Sequence, residues 1–294
     1  MRSMGGRDAP AREEPAGVRR EREGNDRLFR GVLTAMPTKE GSPIFREQEV
    51  FSRVGQYLSH PCCDAAGVMN KDLTEIAFIL DRSGSMGSIA RDAIAGFNQF
   101  LADQQSAPGQ ARLTVVLFDD EYQLHVDQVP VAEVLPLDGR TYVPRGSTAL
   151  LDAIGRTIDN LGKRLGATPE DQRPGKVIVA ILTDGQENAS HQYSWRAVSR
   201  RIRHQTDKYG WEFLFLGANQ DAIATCSQLS IAPQNASNWT ADGVGAAAGS
   251  AALSRKTRVF RSINAGSATP EERACAEAPM EELVQEEDRK RRGE

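Results

Sequence analysis

The chain has 294 residues and a formal net charge of -4, from 36 Lys and Arg against 40 Asp and Glu. That near balance excludes a chain-wide basic footprint for nucleic acid. The longest aliphatic run, Val177–Leu182, falls far short of the ~20 residues a membrane-crossing helix needs. Residues 1–30 hold no apolar core segment, so no secretory signal is expected there.

The charge is unevenly placed. Residues 1–68 carry a net +1, residues 69–264 a net -1 and residues 265–294 a net -4, so the negative excess belongs to the tail. The first segment opens on Gly, Pro, Arg and Glu, a composition that buries too little apolar surface to offset chain entropy. It is expected to be a largely disordered extension, with residues 44–58 as a candidate docking helix. Residues 265–294 read as a charged flexible tail, whose acid-then-base order from Glu281 to Arg292 suits a frayed helix. The four cysteines, Cys62, Cys63, Cys226 and Cys275, have neither the spacing of a zinc knuckle nor the context of a disulfide framework.

Between these ends, strands and helices alternate. Thr74–Leu80 is an apolar strand ending in Asp81. Ser88 is placed to cap a helix whose apolar stripe is Ile89, Ala93, Phe97, Phe100 and Leu101. Ala111–Phe118 is a second strand, and Tyr122–Val126 an edge strand paired antiparallel to it. A helix over 149–165, a buried strand over 176–182, a helix over 193–209, a strand over 211–216 and a helix over 219–229 follow. This alternation predicts an α/β, doubly wound (Rossmann-like), mostly parallel sheet with one antiparallel edge strand and helices on both faces. Ligands of such sheets bind at the carboxyl ends of the strands.

Two strands end in Asp at that edge, Asp81 and Asp184. The first opens Asp81-Arg82-Ser83-Gly84-Ser85, whose alternate residues fall on one side of a tight loop. Between the two strands the Gly-rich turn Pro144-Arg-Gly-Ser-Thr148 enters a helix. Two carboxylates and three hydroxyls can therefore converge, an all-oxygen set suited to a hard divalent cation, Mg²⁺ first, then Mn²⁺ or Ca²⁺. Hydroxyls are weak ligands, so such a site keeps waters and an open coordination place. Asp119-Asp120, after the second strand, read first as turn residues and alternatively as supports at the same edge. His191 and Tyr193 are candidates for its rim. The four histidines, His60, His125, His191 and His204, are scattered and read as surface or loop residues. Arg200-Arg-Ile-Arg-His204 has the spacing of a solvated helix face rather than of a nucleic-acid contact.

Asp81-x-Ser83-x-Ser85, Gly146-Ser-Thr148 and Thr183-Asp184-Gly185, spaced by about 60 and 35 residues, resemble the metal-ion-dependent adhesion site of von Willebrand factor type A domains. The resemblance covers about residues 72–240. Residues 78–86 and 215–222 are similar to the stand-alone intracellular prokaryotic type, including tellurite-resistance-associated and phage-encoded members. The resemblance implies a domain over 69–264 with a C-terminal helical part. It implies that Ser83 and Ser85 bind the metal directly, Thr148 directly or through water, and Asp81 and Asp184 largely through water. It also implies that a partner protein's Asp or Glu fills the open position. Members often begin just before the first strand, so residues 1–68 are read as an extra extension, or as an upstream translation artefact.

The expected function is a non-enzymatic, metal-dependent protein-binding module of the cytoplasm, with no nucleic-acid or membrane partner. A metal-dependent hydrolase or phosphotransferase is the alternative from another class, but no general base is evident. A structural subunit whose metal only ties loops together is the third. A haloacid-dehalogenase-like phosphatase would need Asp where Ser83 stands, and phosphate-loop, dinucleotide-binding and Ser-hydrolase motifs are missing.

Overall fold

The computed structural model describes residues 69–218 and 222–293. The expectations for residues 1–68, including the docking helix, His60 and the Cys62–Cys63 pair, lie outside the described residues, as does the start of the helix expected from 219.

A single strand organises the molecule. In β1 (Asn70–Asp81) every residue from Leu73 to Asp81 is buried, the near-continuous apolar pattern of a strand covered on both faces. It lies between β2 (Gln110–Phe118) and β4 (Pro174–Thr183) and runs parallel to both. With β3 (Tyr122–Pro130), β5 (Glu212–Gly217) and β6 (Ala236–Asn238) the sheet order is β3-β2-β1-β4-β5-β6. Only the β2–β3 pair is antiparallel. The expected fold class is therefore present, including its antiparallel edge.

Strand alternation divides the interior into two cores. Ile76, Phe78 and Leu80 face α1 (Ala90–Ser106), α5 (Gly243–Asn264) and α7 (Met280–Arg292). Ala77 and Ile79 face α2 (Leu150–Ala167), α3 (Trp195–Tyr209) and α4 (Ala222–Leu229). Phe78 anchors the first core by edge-to-face contacts with Phe97 and Phe100, with ring centroids 5.2 and 4.8 Å away. Among the described residues no helix is long and apolar enough to cross a membrane. Cys226 is buried and Cys275 partly so, both as free thiols.

Two local expectations are corrected. Ser88 caps no helix: a 3-10 turn over Gly84–Ile89 leads into α1, whose N-cap position, Ile89, makes no side-chain cap. The tight turn, closed by Met86 N–H donating to the Ser83 carbonyl at 3.1 Å, brings Ser83 and Ser85 to one side and buries Met86 beneath them.

The second concerns residues 265–294, where α6 (Pro270–Glu277) and α7 are packed helices rather than a flexible tail. α6 starts on a capping box between Thr269 and Glu272 with Pro270 in its first turn. Met280, Leu283 and Val284 make a short i, i+3, i+4 stripe buried in the first core. Arg255 reaches Glu286 at 2.7 Å, and Arg292 reaches Asp242, the N-cap of α5, at 2.9 Å. The net charge of the segment concealed this stripe.

α5 carries two buried cations. Lys256 Nζ donates to the carbonyls of Gln234 (2.7 Å) and Ala278 (2.9 Å), tying β6's approach and the α6–α7 junction to one helix. Arg261 donates to the carbonyls of Gln104 (2.7 Å) and Gly109 (3.0 Å), and to Gln104 Oε1 (3.1 Å), around the end of α1. A cation there suits both the unpaired carbonyls of the last turn and the negative end of the helix dipole.

Candidate metal centre

The carboxyl edge of the sheet brings all five expected residues together. Asp81 is the last residue of β1 and Thr183 the last of β4, side by side because those strands pair in parallel register. Asp81 is fully buried: Oδ1 accepts from the Ser83 backbone N–H at 2.7 Å, and Oδ2 from the Thr183 hydroxyl at 2.5 Å. Desolvation pushes its pKa up to about 6 against these hydrogen bonds, with the Asp184 charge adding in the same direction. The Tyr142 hydroxyl donates to the Asp81 carbonyl at 2.5 Å and pins the strand end from the first core.

Ser83 and Ser85 hydroxyls are 3.1 Å apart, and Ser85 donates to Asp184 Oδ1 at 2.7 Å. Asp184 is also raised in pKa, chiefly by burial. Depth is graded across the group. Asp81, Ser83, Thr148 and Asp184 are buried while Ser85 stands exposed, so the cluster has a mouth.

Gly185 defines the space between them. A Cβ at that position would lie 2.8 Å from Thr148 Oγ1, 3.6 Å from Ser85 Oγ and 3.7 Å from Ser83 Oγ. Three hydroxyls thus surround a point that any larger residue at 185 would fill. The turn that delivers Thr148 needs Gly146, whose φ of +63° is left-handed and whose missing Cβ leaves room for the Asp120 carboxylate.

The donors fit a hard cation: five oxygen-bearing side chains with two carboxylates whose burial disfavours charge without a counter-ion. Among the described residues no three His, Cys, Asp or Glu side chains gather into a metal cluster. A cation here would depend on hydroxyls as well as carboxylates, and would retain water.

Loop 184–194 holds Thr148 in place through residues that the spacing argument missed. Thr148 N–H donates to Asn188 Oδ1 at 2.9 Å, and the Thr148 carbonyl accepts from Asn188 N–H at 3.0 Å. Glu187 accepts from Leu151 N–H in the first turn of α2 at 2.8 Å, supplying the cap that Ala149 cannot. Asp152 accepts from the backbone N–H groups of His191, Gln192 and Tyr193. The polar run Gln186-Glu-Asn-Ala-Ser190 was the available signal, but polar loop residues carry no mark of what they bond.

The other site expectations divide. Asp119 is no plain turn residue: it is fully buried, 2.9 Å from both Arg82 Nε and Arg145 Nε, whereas Asp120 is exposed. His191 is exposed. Tyr193 turns toward α2, with its hydroxyl 2.9 Å from Asp159 and its ring over Gly155, so it does not face the cluster.

A doubly wound sheet with one antiparallel edge and an oxygen-donor cluster at its carboxyl edge defines the class of this protein. No family model and no curated protein matches the chain. Solved structures similar to it include a von Willebrand factor type A protein from Catenulispora acidiphila, at 16% identity and TM-score 0.40, covering 66% of this chain and 42% of that one. Manganese-loaded TRAP protein of Plasmodium vivax is similar at 19% identity and TM-score 0.42, covering 60% and 72%. The ArnB paralog VWA2 of Sulfolobus acidocaldarius is similar at 14% identity and TM-score 0.41, covering 65% and 45%. The chain spans less than half the length of the Catenulispora and Sulfolobus proteins.

Proposed function

We propose that this protein is a von Willebrand factor type A module of the stand-alone, tellurite-resistance-like kind, which binds a partner protein through a divalent cation. Asp81, Ser83, Ser85, Thr148 and Asp184 would hold the ion, Mg²⁺ in the first instance, with Mn²⁺ or Ca²⁺ as substitutes. When bound, the cation supplies an electrophilic centre with one place open to a carboxylate oxygen of the partner's Asp or Glu. The observation that carries this reading is the meeting of three hydroxyls beside Gly185, next to two buried carboxylates.

The chain's own groups each have a task in this reading. Ser83 and Ser85 present lone pairs from one side of the 3-10 turn, and Thr148 presents its own from across the Gly185 gap. Asp81, held by Thr183 and the Ser83 amide, fixes the floor. Asp184, directly after β4, stands beside Ser85 and accepts its hydroxyl's hydrogen bond at 2.7 Å. The exposed Ser85 leaves the approach open. In this reading both carboxylates are taken up in holding the ion, and binding rather than turnover is the function proposed. A cytoplasmic location is part of the same proposal.

The test is partner capture from the native host's lysate in Mg²⁺ followed by elution with EDTA. Wild type should release a protein that neither Ser85→Ala nor Asp184→Ala retains. Capture that ignores EDTA and both substitutions would overturn the proposal. Hydrolysis of phosphate or peptide esters that disappears in Asp81→Ala would move the assignment to an enzyme.

A further inference from the structure

Asp119 touches none of the five cluster residues' side chains in the hydrogen bonds and ion pairs described, yet it grips both loops that present them. It follows β2 directly and is fully buried. Its Oδ2 lies 2.9 Å from Arg82 Nε, an ion pair without hydrogen-bond geometry, and accepts a hydrogen bond from Arg145 Nε at 2.9 Å. Its Oδ1 accepts from the Glu121 N–H at 2.6 Å, and its backbone carbonyl from the Ala149 N–H at 2.8 Å. Arg82 sits between Asp81 and Ser83, Ala149 directly follows Thr148, and Arg145 opens the turn that delivers Thr148.

The two loops are also bonded to each other. Arg145 N–H donates to the Arg82 carbonyl at 2.8 Å, and Gly84 N–H to the Gly146 carbonyl at 3.1 Å. Thr148 is therefore suspended between Asn188 on one side and the Asp119 group on the other. A buried carboxylate bridging two arginines is costly to desolvate and is a weak source of net stability. What it supplies here is geometry, because it sets the distance between the Asp81–Ser85 loop and the Thr148 turn.

We propose that Asp119 is a positioning residue for the Thr148 hydroxyl, acting through Arg82 and Arg145 to set how tightly the cluster at Gly185 holds a divalent cation. This rests on the metal-binding reading above. The half-exposed Arg145 makes the position testable without opening a void, since its side chain is 51% exposed.

The experiment is Mn²⁺ titration by calorimetry on the full chain, with amide exchange over residues 142–149 and metal-free melting measured in parallel. Arg145→Ala should weaken Mn²⁺ binding by about tenfold, the loss expected when an outer support of a metal site is removed. It should speed exchange in the Thr148 turn while the metal-free protein still folds, because Arg82 continues to face the buried Asp119 carboxylate. Arg145→Lys, which keeps a cation beside Asp119, should recover most of the affinity. Asp119→Asn should weaken binding further; should that variant fail to fold, the Arg145 pair decides the matter. Unchanged affinity in Arg145→Ala, or equal loss in Arg145→Lys, would overturn the positioning role while leaving the metal site standing. A wild type that takes up no Mn²⁺ would overturn the metal reading, and this role with it.

Discussion

The carboxyl edge of the sheet and the α5–α7 layer both bury charge, and they resolve it in opposite ways. In α5 the charges are cations, and their donors end on backbone carbonyls: Lys256 on two, Arg261 on several at the close of α1. At the edge the charges are carboxylates raised in pKa by burial, and the hydroxyls beside them converge on a space bounded by Gly185. The first arrangement ties the cations to the chain's own carbonyls and serves as structure. The second gathers electron-rich oxygens around a gap, which is what a cation site requires before it is filled. Burial of a charge alone does not separate structure from function; the direction in which the surrounding lone pairs point does.

If that contrast holds, the largest effect should come from the structural cations. Arg261→Met leaves the Gln104 and Gly109 carbonyls without their donor and should cost about 4 kcal/mol by urea denaturation, with or without metal. Loss of less than about 1 kcal/mol would mean that the end of α1 is held by other means. Leu283→Ala should cost about 3 kcal/mol by opening a cavity under α7; a neutral result would return residues 280–292 to the flexible tail expected from composition.

Asp184→Ala should behave differently. It removes a buried carboxylate that raises the Asp81 pKa, so the metal-free domain should be unchanged or more stable by up to about 1 kcal/mol, despite loss of the Ser85 hydrogen bond. A large loss would mark Asp184 as a structural group like Arg261. The smallest effect is in pH. Burial lowers the Lys256 pKa from 10.5 to about 8. Holding that charge costs stability as pH falls through 8, and the cost disappears above 10.5, where the unfolded lysine is also neutral. Stability should therefore rise from pH 8 to 10.5, and Lys256→Met should flatten that rise.

The same contrast explains what could be read from the chain. β1, β2, β4 and β5 announce themselves because their apolar runs are local, and the five cluster residues because their short motifs recur at fixed spacing at or just after a strand end, or just before a helix. Asp119 sits in an Asp-Asp pair that has the composition of any turn, and only the fold shows two arginines from separate loops meeting on it. Asn188 and Glu187 bond backbone groups about 40 residues earlier, a relation that leaves no periodicity. α7 was hidden for another reason: three apolar residues suffice to dock it once α5 is in place, while the other positions of this 13-residue helix average out as charged. β6 has three residues, too few to show alternation.

Thermal unfolding with and without Mg²⁺ or Mn²⁺ tests whether the Gly185 cluster is a cation site. At 100-fold saturation wild type should gain about 2.7 kcal/mol, while Asp184→Ala, folded and equally stable without metal, should gain nothing. A wild type whose melting is indifferent to both ions, or an Asp184→Ala variant that is stabilised as strongly as wild type, would contradict the account.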